Sequence, residues 1–418
     1  MGPNPITGSI TDIKAVAVFP PLFFCAKNTS SKMKKKISLF TILLFAFAVL
    51  FAAATFAVEV VGRGGCGENG KNVTYTLYSD GILKISGKGK MKNYDNYSNR
   101  SPWFYYKNGK VNSVVIENGV TCIGNCAFNG CGDLISAEIP SSVTYICGDA
   151  FRECSSLTSI EIPSSVTSID YDTFNGCSSL TSVEIPSSVT YIEGDAFSEC
   201  SSLTNIEIPN SVTGMGQAVF YGCSSLTSIK LPNGIKGISR YAFGNCSSLT
   251  SIEIPNSVTV IGASAFHECT RLSKVKMPNS LSEIFDCAFI ECSSLTSIEI
   301  PNRVTGIGYG AFKGCDNLKD VYYYGDEYEW SRISKGGANS CLYNANIHFI
   351  LINFGDTNGD GEITAADAVL FAQHFVGWAT NIDLSAMDVN NDGYVNASDL
   401  VLLSQYLAGW DIKLGEKN

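Results

Sequence analysis

A chain of 418 residues with 45% apolar and 16% charged side chains is long enough for two or three buried cores, and its 13 prolines and modest charge exclude a disordered polymer. The formal charge is −10, and residues 1–57 carry six lysines against Asp12, so the chain without them stands near −15. That balance disfavours nucleic acid and anionic membrane surfaces as partners, since both call for basic patches, and favours a partner with a basic face.

Residues 34–57 read KKKISLFTILLFAFAVLFAAATFA, three lysines, an apolar run and closing small residues. This is the pattern of a secretory signal peptide with cleavage expected after Ala57, and Met33 is the expected start, which makes residues 1–32 an extension. The rival reading is an uncleaved anchor, because the run approaches the roughly 18 residues that can span a bilayer. No cysteine follows the small residues, which disfavours a lipid anchor, and no apolar run stands at the C-terminal end. The remaining chain is expected to be exported and released, with no membrane contact after cleavage.

Residues 58–110 hold alternating stretches, Val73-Thr74-Tyr75-Thr76-Leu77 and Ile82-Leu83-Lys84-Ile85, joined by Ser79-Asp80-Gly81. They predict a β-hairpin, and with Ser101-Pro102-Trp103-Phe104-Tyr105-Tyr106 they predict a cover for the first coil of a repeat array that begins at residue 111.

From 111 to 324 one pattern recurs every 23 residues without insertion or deletion, and Leu157 to Ser179 is a complete copy. Phenylalanine stands at 128, 151, 174, 197, 220, 243, 266, 289 and 312, with cysteine three residues behind each. Leucine heads each copy, and Leu157-x-x-Ile160-x-Ile162 is the L-x-x-L-x-L core of a leucine-rich solenoid. One copy offers about eight inward apolar side chains worth roughly 1.5–3 kcal/mol each when buried. Ordering its 23 residues costs about 1.5 kcal/mol apiece, so a lone copy cannot fold and a stack can. At one strand spacing per coil the predicted rod is on the order of 45 Å long. The frame LTSIEIPSSVTSI…AF..C resembles the BspA-like leucine-rich repeats of bacterial surface and secreted proteins, over about half the chain, and the preceding hairpin resembles that family's N-terminal cap.

Nine of the 16 cysteines occupy one column of the repeat, which predicts a stack of buried thiols with weak S–H donors to the turn backbone rather than a disulfide framework. Cys126 and Cys287 share a second column, and Cys122 and Cys147 fall outside both. Cys122, Cys126 and Cys131 lack a fourth ligand and a C-x-x-C pair, so zinc is not expected there. Residues 325–352 break the period and predict a C-terminal cap with a short helix over Glu327–Ile333 and a strand over Ile347–Ile350. Tyr322, Tyr323, Tyr324, Tyr328 and Trp330 are expected to seal the last coil rather than to form a sugar platform.

Beyond Asn353 the period becomes 32. Asp356, Asn358, Asp360, Glu362, Thr364 and Asp367 stand at loop positions 1, 3, 5, 7, 9 and 12 of a calcium loop with Gly361 at 6, and Asp388, Asn390, Asp392, Tyr394, Asn396 and Asp399 repeat them around Gly393. Calcium takes six to eight hard oxygens, and glycine at position 6 permits the turn that wraps them around one ion, so two Ca2+ ions are expected. The position-7 oxygens are backbone carbonyls, and position 9 acts directly or through water. Aspartate replaces the usual glutamate at 12, no helix enters either loop, and each following helix ends in Gly377-Trp378 or Gly409-Trp410. In these departures residues 353–413 resemble a type I dockerin, the all-α module that plugs into a cohesin of a scaffoldin. The resemblance implies cohesin contacts at Ala365, Ala366 and Gln373 in one half and Ala397, Ser398 and Gln405 in the other. Near-duplicate halves imply two binding orientations, weakened by His374 against Tyr406; the alanines at the first pair leave the cohesin class open.

Three histidines on separate elements, His267 in an exposed turn, His348 in the cap and His374 in a dockerin helix, assemble no Ser/His/Asp or Cys/His set. The column Glu138, Glu161, Glu184, Glu207, Lys230, Glu253, Lys276 and Glu299 stacks carboxylates at roughly the separation of a retaining glycosidase, about 5 Å. Every rung offers the same pair without a cleft, so the column reads as a solvated edge or a binding surface for a cationic or polyhydroxyl ligand. A mainly β solenoid with caps, followed by a dockerin, is expected to be a secreted, non-catalytic binding protein held by a cohesin-bearing complex. An adhesin for host or neighbouring cells is the alternative, and a glycoside hydrolase a minor one.

Overall fold

The computed structural model describes residues 58–95, 98–106, 110–351, 354–358, 362–377 and 384–415. The chain divides into two compact units, 1–57 and 58–418, and all described residues belong to the second. The signal segment, Met33, Asp360, Gly361 and Trp378 lie outside the described residues.

The unit opens with β1 (Val60–Gly67), β2 (Gly70–Tyr78) and β3 (Ile82–Gly87). The predicted hairpin is β2 with β3, and β1 is a further antiparallel strand on its outer side. β3 then pairs in parallel with Ser113–Ile116, so the hairpin's last strand is the first rung of the solenoid.

Most coils contribute two short strands that stack in parallel on the next coil, and at Glu207 and Lys230 the first ladder narrows to single parallel bridges. In Ser159–Glu161 the period-2 alternation turns Ile160 inward and Ser159 and Glu161 outward. Pro163 cannot donate to a ladder and ends the strand, and its carbonyl accepts the Val166 amide at 2.9 Å across the bend. The second ladder runs through Ser168–Ile169, Tyr191–Ile192 and Gly214–Met215. The return turn needs left-handed backbone twice, at Asp172 (φ 53°) and Gly176 (φ 74°), and the equivalent positions repeat along the rod.

Between those turns the phenylalanines form one continuous stack, Phe128 to Phe312, with ring centroids 5.1–5.7 Å apart. Beside it the cysteine column is buried from Cys154 to Cys315, whereas Cys131 at its start, expected to be buried with the rest, is partly exposed at the end of the stack. Cys154, Cys177, Cys200, Cys223, Cys246, Cys269, Cys292 and Cys315 each donate Sγ–H to the phenylalanine carbonyl of the preceding coil at 3.0–3.2 Å. Burial pushes the Cys177 thiol up to about 12, so the stack stays protonated.

Both ends are closed by side chains that stand in for a missing coil. Trp103 stacks on Phe128 at 5.6 Å and donates Nε1–H to the Ala127 carbonyl at 2.9 Å, with Tyr75 and Tyr94 edge-on behind it. At the other end, the Phe289 amide reaches the Ala311 carbonyl, but Phe312 has no further coil. Asn339, fully buried, supplies Oδ1 to the Phe312 amide at 3.0 Å and donates Nδ2 to Gly308 O and Gly336 O. The cap helix is Glu327–Arg332 and the cap strand Asn346–Phe349, close to the predicted bounds. Of the five aromatic residues expected to seal the last coil, Tyr323 is buried against Trp330 at 5.2 Å, whereas Tyr328 is exposed with Arg332 over its ring.

The C-terminal segment has a second, separate core of Phe371, Met387, Val389 and Leu403, between the helices Ala365–Phe375 and Ala397–Leu407. Ile363 and Val395, the apolar residues of the two loops, pack against it. Among the described residues no helix is long and apolar enough to cross a membrane.

Candidate calcium loops, helix faces and ladder surface

In the second loop Asp388 and Asp392 are tied to backbone amides that follow them and Asp399 to amides that precede it. Asp388, 2% exposed, accepts the Asp392 and Gly393 amides at 2.9 and 2.8 Å. Asp392 accepts the Tyr394 amide at 2.8 Å and the Asn390 side-chain amide at 3.1 Å. Gly393 sits at φ 91°, the left-handed turn that position 6 demands. Asp399 accepts the Asn390 and Asn396 amides at 3.3 and 2.9 Å, and Asn396 Oδ1 caps the helix by accepting the Ser398 amide at 2.8 Å. Position 9 is thus the N-cap and position 12 closes the capping box, so one short stretch both ends the loop and starts the helix.

The first loop follows the same plan. Asp367, fully buried, accepts the Thr357, Asn358 and Thr364 amides at 2.8, 3.1 and 2.8 Å, and Thr364 is the N-cap. Asp356 is buried, and Glu362, whose carbonyl is the position-7 oxygen, is exposed. Burial raises Asp367, but the Thr364, Asn358 and Thr357 donors outweigh it and hold the carboxyl below its ordinary range. In the second loop burial wins. Asp388 is pushed up to about 6, with the charges of Asp399 and Asp392 adding to the effect against the Gly393 and Asp392 amides, and Asp399 is raised for the same first reason.

Among the described residues no three His, Cys, Asp or Glu side chains are gathered closely enough to hold a metal. The fit to calcium therefore rests on the donor chemistry. Both loops offer oxygen alone, at spacings suited to a hard cation, and in the second burial, with the neighbouring carboxylates adding to it, disfavours the ionised form of Asp388 and Asp399. A divalent cation would favour the ionised form of both.

The helix faces follow the 32-residue repeat. Ala365, Ala366, Ala397 and Ser398 are exposed at the helix starts, with Gln373 and Gln405 half-buried further along. Sequence reasoning missed Val369 and Val401, which stand 55% and 54% exposed at equivalent positions four residues after Ala365 and Ala397. The 32-residue offset together with helical i, i+4 spacing could have found them. The two valines are thus uncovered at matching positions of the two halves.

On the solenoid, Glu138, Glu161, Glu184, Glu207, Lys230, Glu253, Lys276 and Glu299 are all exposed in one column. Glu161 faces Glu184, and bridges carry the column through Glu207, Lys230 and Glu253 to Lys276. Lys276 meets Glu253 at 2.6 Å, but with both side chains more than half exposed the pair contributes little stability. Tyr322 continues the column beyond Glu299 and stacks on His348 at 4.7 Å, and His348 Nε2 meets Asp320 at 2.8 Å. His267, expected in an exposed turn, is half-buried, with Nε2 3.2 Å from Glu268. Its ring also lies edge-on to Tyr241 at 6.4 Å, which covers one side of it.

A model of the BspA type leucine rich repeat region matches residues 100–226 and 213–330, in six copies, and a dockerin type I domain model matches 354–408. No curated protein matches the chain. Among solved structures, a leucine-rich repeat protein from Bacteroides ovatus is 26% identical with TM-score 0.54, over 72% of this chain and 74% of that one. A leucine rich cell surface protein from Faecalibacterium prausnitzii is 25% identical with TM-score 0.37, over 68% and 98%.

Proposed function

Because the chain belongs to the BspA-type leucine-rich repeat family and carries a dockerin type I domain behind its repeats, we propose that it is an exported, non-catalytic component recruited to a cohesin-bearing scaffoldin. Dockerin attachment to cohesin and protein binding by the solenoid are the coarse functions these two modules carry. The finer reading is that two Ca2+ ions order the loops, so that each helix presents its contact face, Ala365, Ala366, Val369 and Gln373 or Ala397, Ser398, Val401 and Gln405. The repeated, exposed Val369 and Val401 are the observation that carries it, because a chain with no partner there gains nothing from leaving both uncovered. The solenoid then offers its flat column from Glu138 to Glu299, carboxylates interrupted by Lys230 and Lys276, to a protein or surface ligand with a basic or hydroxyl-rich face. In a scaffold-bound setting that ligand places the protein beside polysaccharide-degrading partners without its own chemistry.

Calorimetry of the full chain against a panel of cohesins, with calcium and with chelator, tests the assembly reading. Calcium-dependent binding supports it. Calcium uptake with no cohesin bound removes it and leaves the adhesin reading, in which the solenoid binds host or neighbouring cells.

A further inference from the structure

Cys122 and Cys147 stand outside the cysteine column, and nothing in their spacing of 25 residues pairs them. The fold does. Val120–Ile123 and Tyr145–Ile146 pair in parallel on neighbouring coils, with Cys122 beside Tyr145 and Ile123 beside Ile146. The Cys147 amide then donates to the Ile123 carbonyl at 3.0 Å, which keeps the second chain on its neighbour one residue past the strand. Residues of alternate position share a face, so Cys122, Tyr145 and Cys147 all turn toward the outside of the second ladder. The two sulfurs come within 3.4 Å of one another.

We propose that Cys122 and Cys147 are an oxidisable dithiol that closes to a disulfide between the first two coils, while the stacked cysteines stay reduced. The geometry separates the two classes. Column thiols such as Cys154 and Cys177 are fully buried, and each is held against a phenylalanine carbonyl, with no second sulfur as partner. Cys147 is only half-buried and Cys122 beside it keeps 8% of its surface exposed, against none for Cys154 and Cys177, so an oxidant can reach the pair from solvent. The hydrogen bond shared with Cys147, with Lys90 nearby, holds the Cys122 thiol below its ordinary value against burial, and Cys147 is raised in return. Cys122 is therefore the attacking sulfur. Its thiolate attacks a low-molecular-weight disulfide, keeps one half as a mixed disulfide and expels the other half as a thiol. The Cys147 thiolate attacks that bond and releases the second half as a thiol. Two protein thiols lose two electrons and two protons, and one external disulfide becomes two thiols.

The test uses the reduced full chain and oxidised glutathione. After incubation, acid quench and alkylation, the chain is cleaved at acidic residues, which parts Cys122 from Cys147 at Asp133 and Glu138. The expected product is a Cys122–Cys147 cross-linked peptide pair, lighter by two hydrogens than the separate thiols and released by phosphine reductant. The column cysteines from Cys154 to Cys315 should be alkylated only after denaturation. Cys147→Ser should trap glutathione on Cys122, and oxidation of the native chain should raise its melting temperature by a few degrees, a shift absent in Cys122→Ser. Free thiols at both positions, or separate glutathione adducts on each without cross-link, overturn the proposal. Because the peptide map is read on the unsubstituted chain, it stands whether or not either variant folds.

Discussion

At Phe174 a single carbonyl receives both the Cys177 amide of its own coil and the Cys200 thiol of the next, at 3.1 and 3.2 Å. The thiol is small enough to sit beside the aromatic stack and still offers a donor, which explains why cysteine rather than alanine or leucine fills the column. Cys200→Ala should leave the fold intact and cost about 1–2 kcal/mol, from a methyl-sized void and a lost weak donor, measured by denaturant titration of the reduced protein. Asn339 is the stricter case. Replacement by leucine strands the Phe312 amide and the Gly308 and Gly336 carbonyls at once. At about 1–3 kcal/mol for each buried polar group left unpaired, Asn339→Leu should destabilise the chain by more than about 3 kcal/mol, and the same titration checks it. The cysteine column was legible because a fixed period makes equal positions equal environments. Asn339 was not, since it stands 27 residues after Phe312 and imitates a coil by side chain rather than by sequence.

Among the elements, the N-terminal cap and the two loop-helix units obey different rules. The hairpin could be read from alternation and its Asp-Gly turn, but β1 could not. Its Val60–Gly67 run carries four glycines and little alternation, and only pairing with β2 makes it a strand. Trp103 closes the phenylalanine stack, so Trp103→Ala should cost about 3–5 kcal/mol and open the first coil, visible as early loss of amide exchange protection in Ser113–Ile116. The helices start where their sequence says, because Thr364 and Asn396 are N-caps with aspartate three residues on. Val369 and Val401 escape a reading of the sequence because exposure, unlike capping, depends on what else packs nearby. If the two faces are alternative docking surfaces, Val369→Lys alone should leave cohesin binding within a few-fold and Val369→Lys with Val401→Lys should abolish it. Calorimetry with a cohesin that binds the parent chain decides the point.

At the scale of the molecule the described residues form two cores, the long one of the solenoid and the small one around Phe371 and Leu403. Heating should therefore give separable transitions. A ligand that binds only the folded state stabilises it by about 2.7 kcal/mol at a hundredfold excess over Kd, so saturating calcium should move the small transition upward by several degrees and leave the large one in place. Scanning calorimetry with calcium and with chelator reads both, and a solenoid transition that followed the metal would contradict the separation. The one-dimensional order of the rod was plain from the 23-residue period, yet its two-ladder cross-section was not, because Ser168–Ile169 and its equivalents are only two residues long and carry no periodicity of their own. The meeting of Cys122 with Cys147 was hidden for a related reason, since the pair is brought together by register between coils and not by their spacing along the chain.

The phenylalanine stack has one more consequence, for descent rather than for stability. Every interior coil meets its neighbours through the same ring spacing and the same carbonyl, while the two end closures belong to segments outside the period. Removal or duplication of one whole copy by recombination then joins surfaces that already match, and no compensating substitution is called for. Rod length is inherited in whole steps, and a lineage can lengthen or shorten its reach in a single generation.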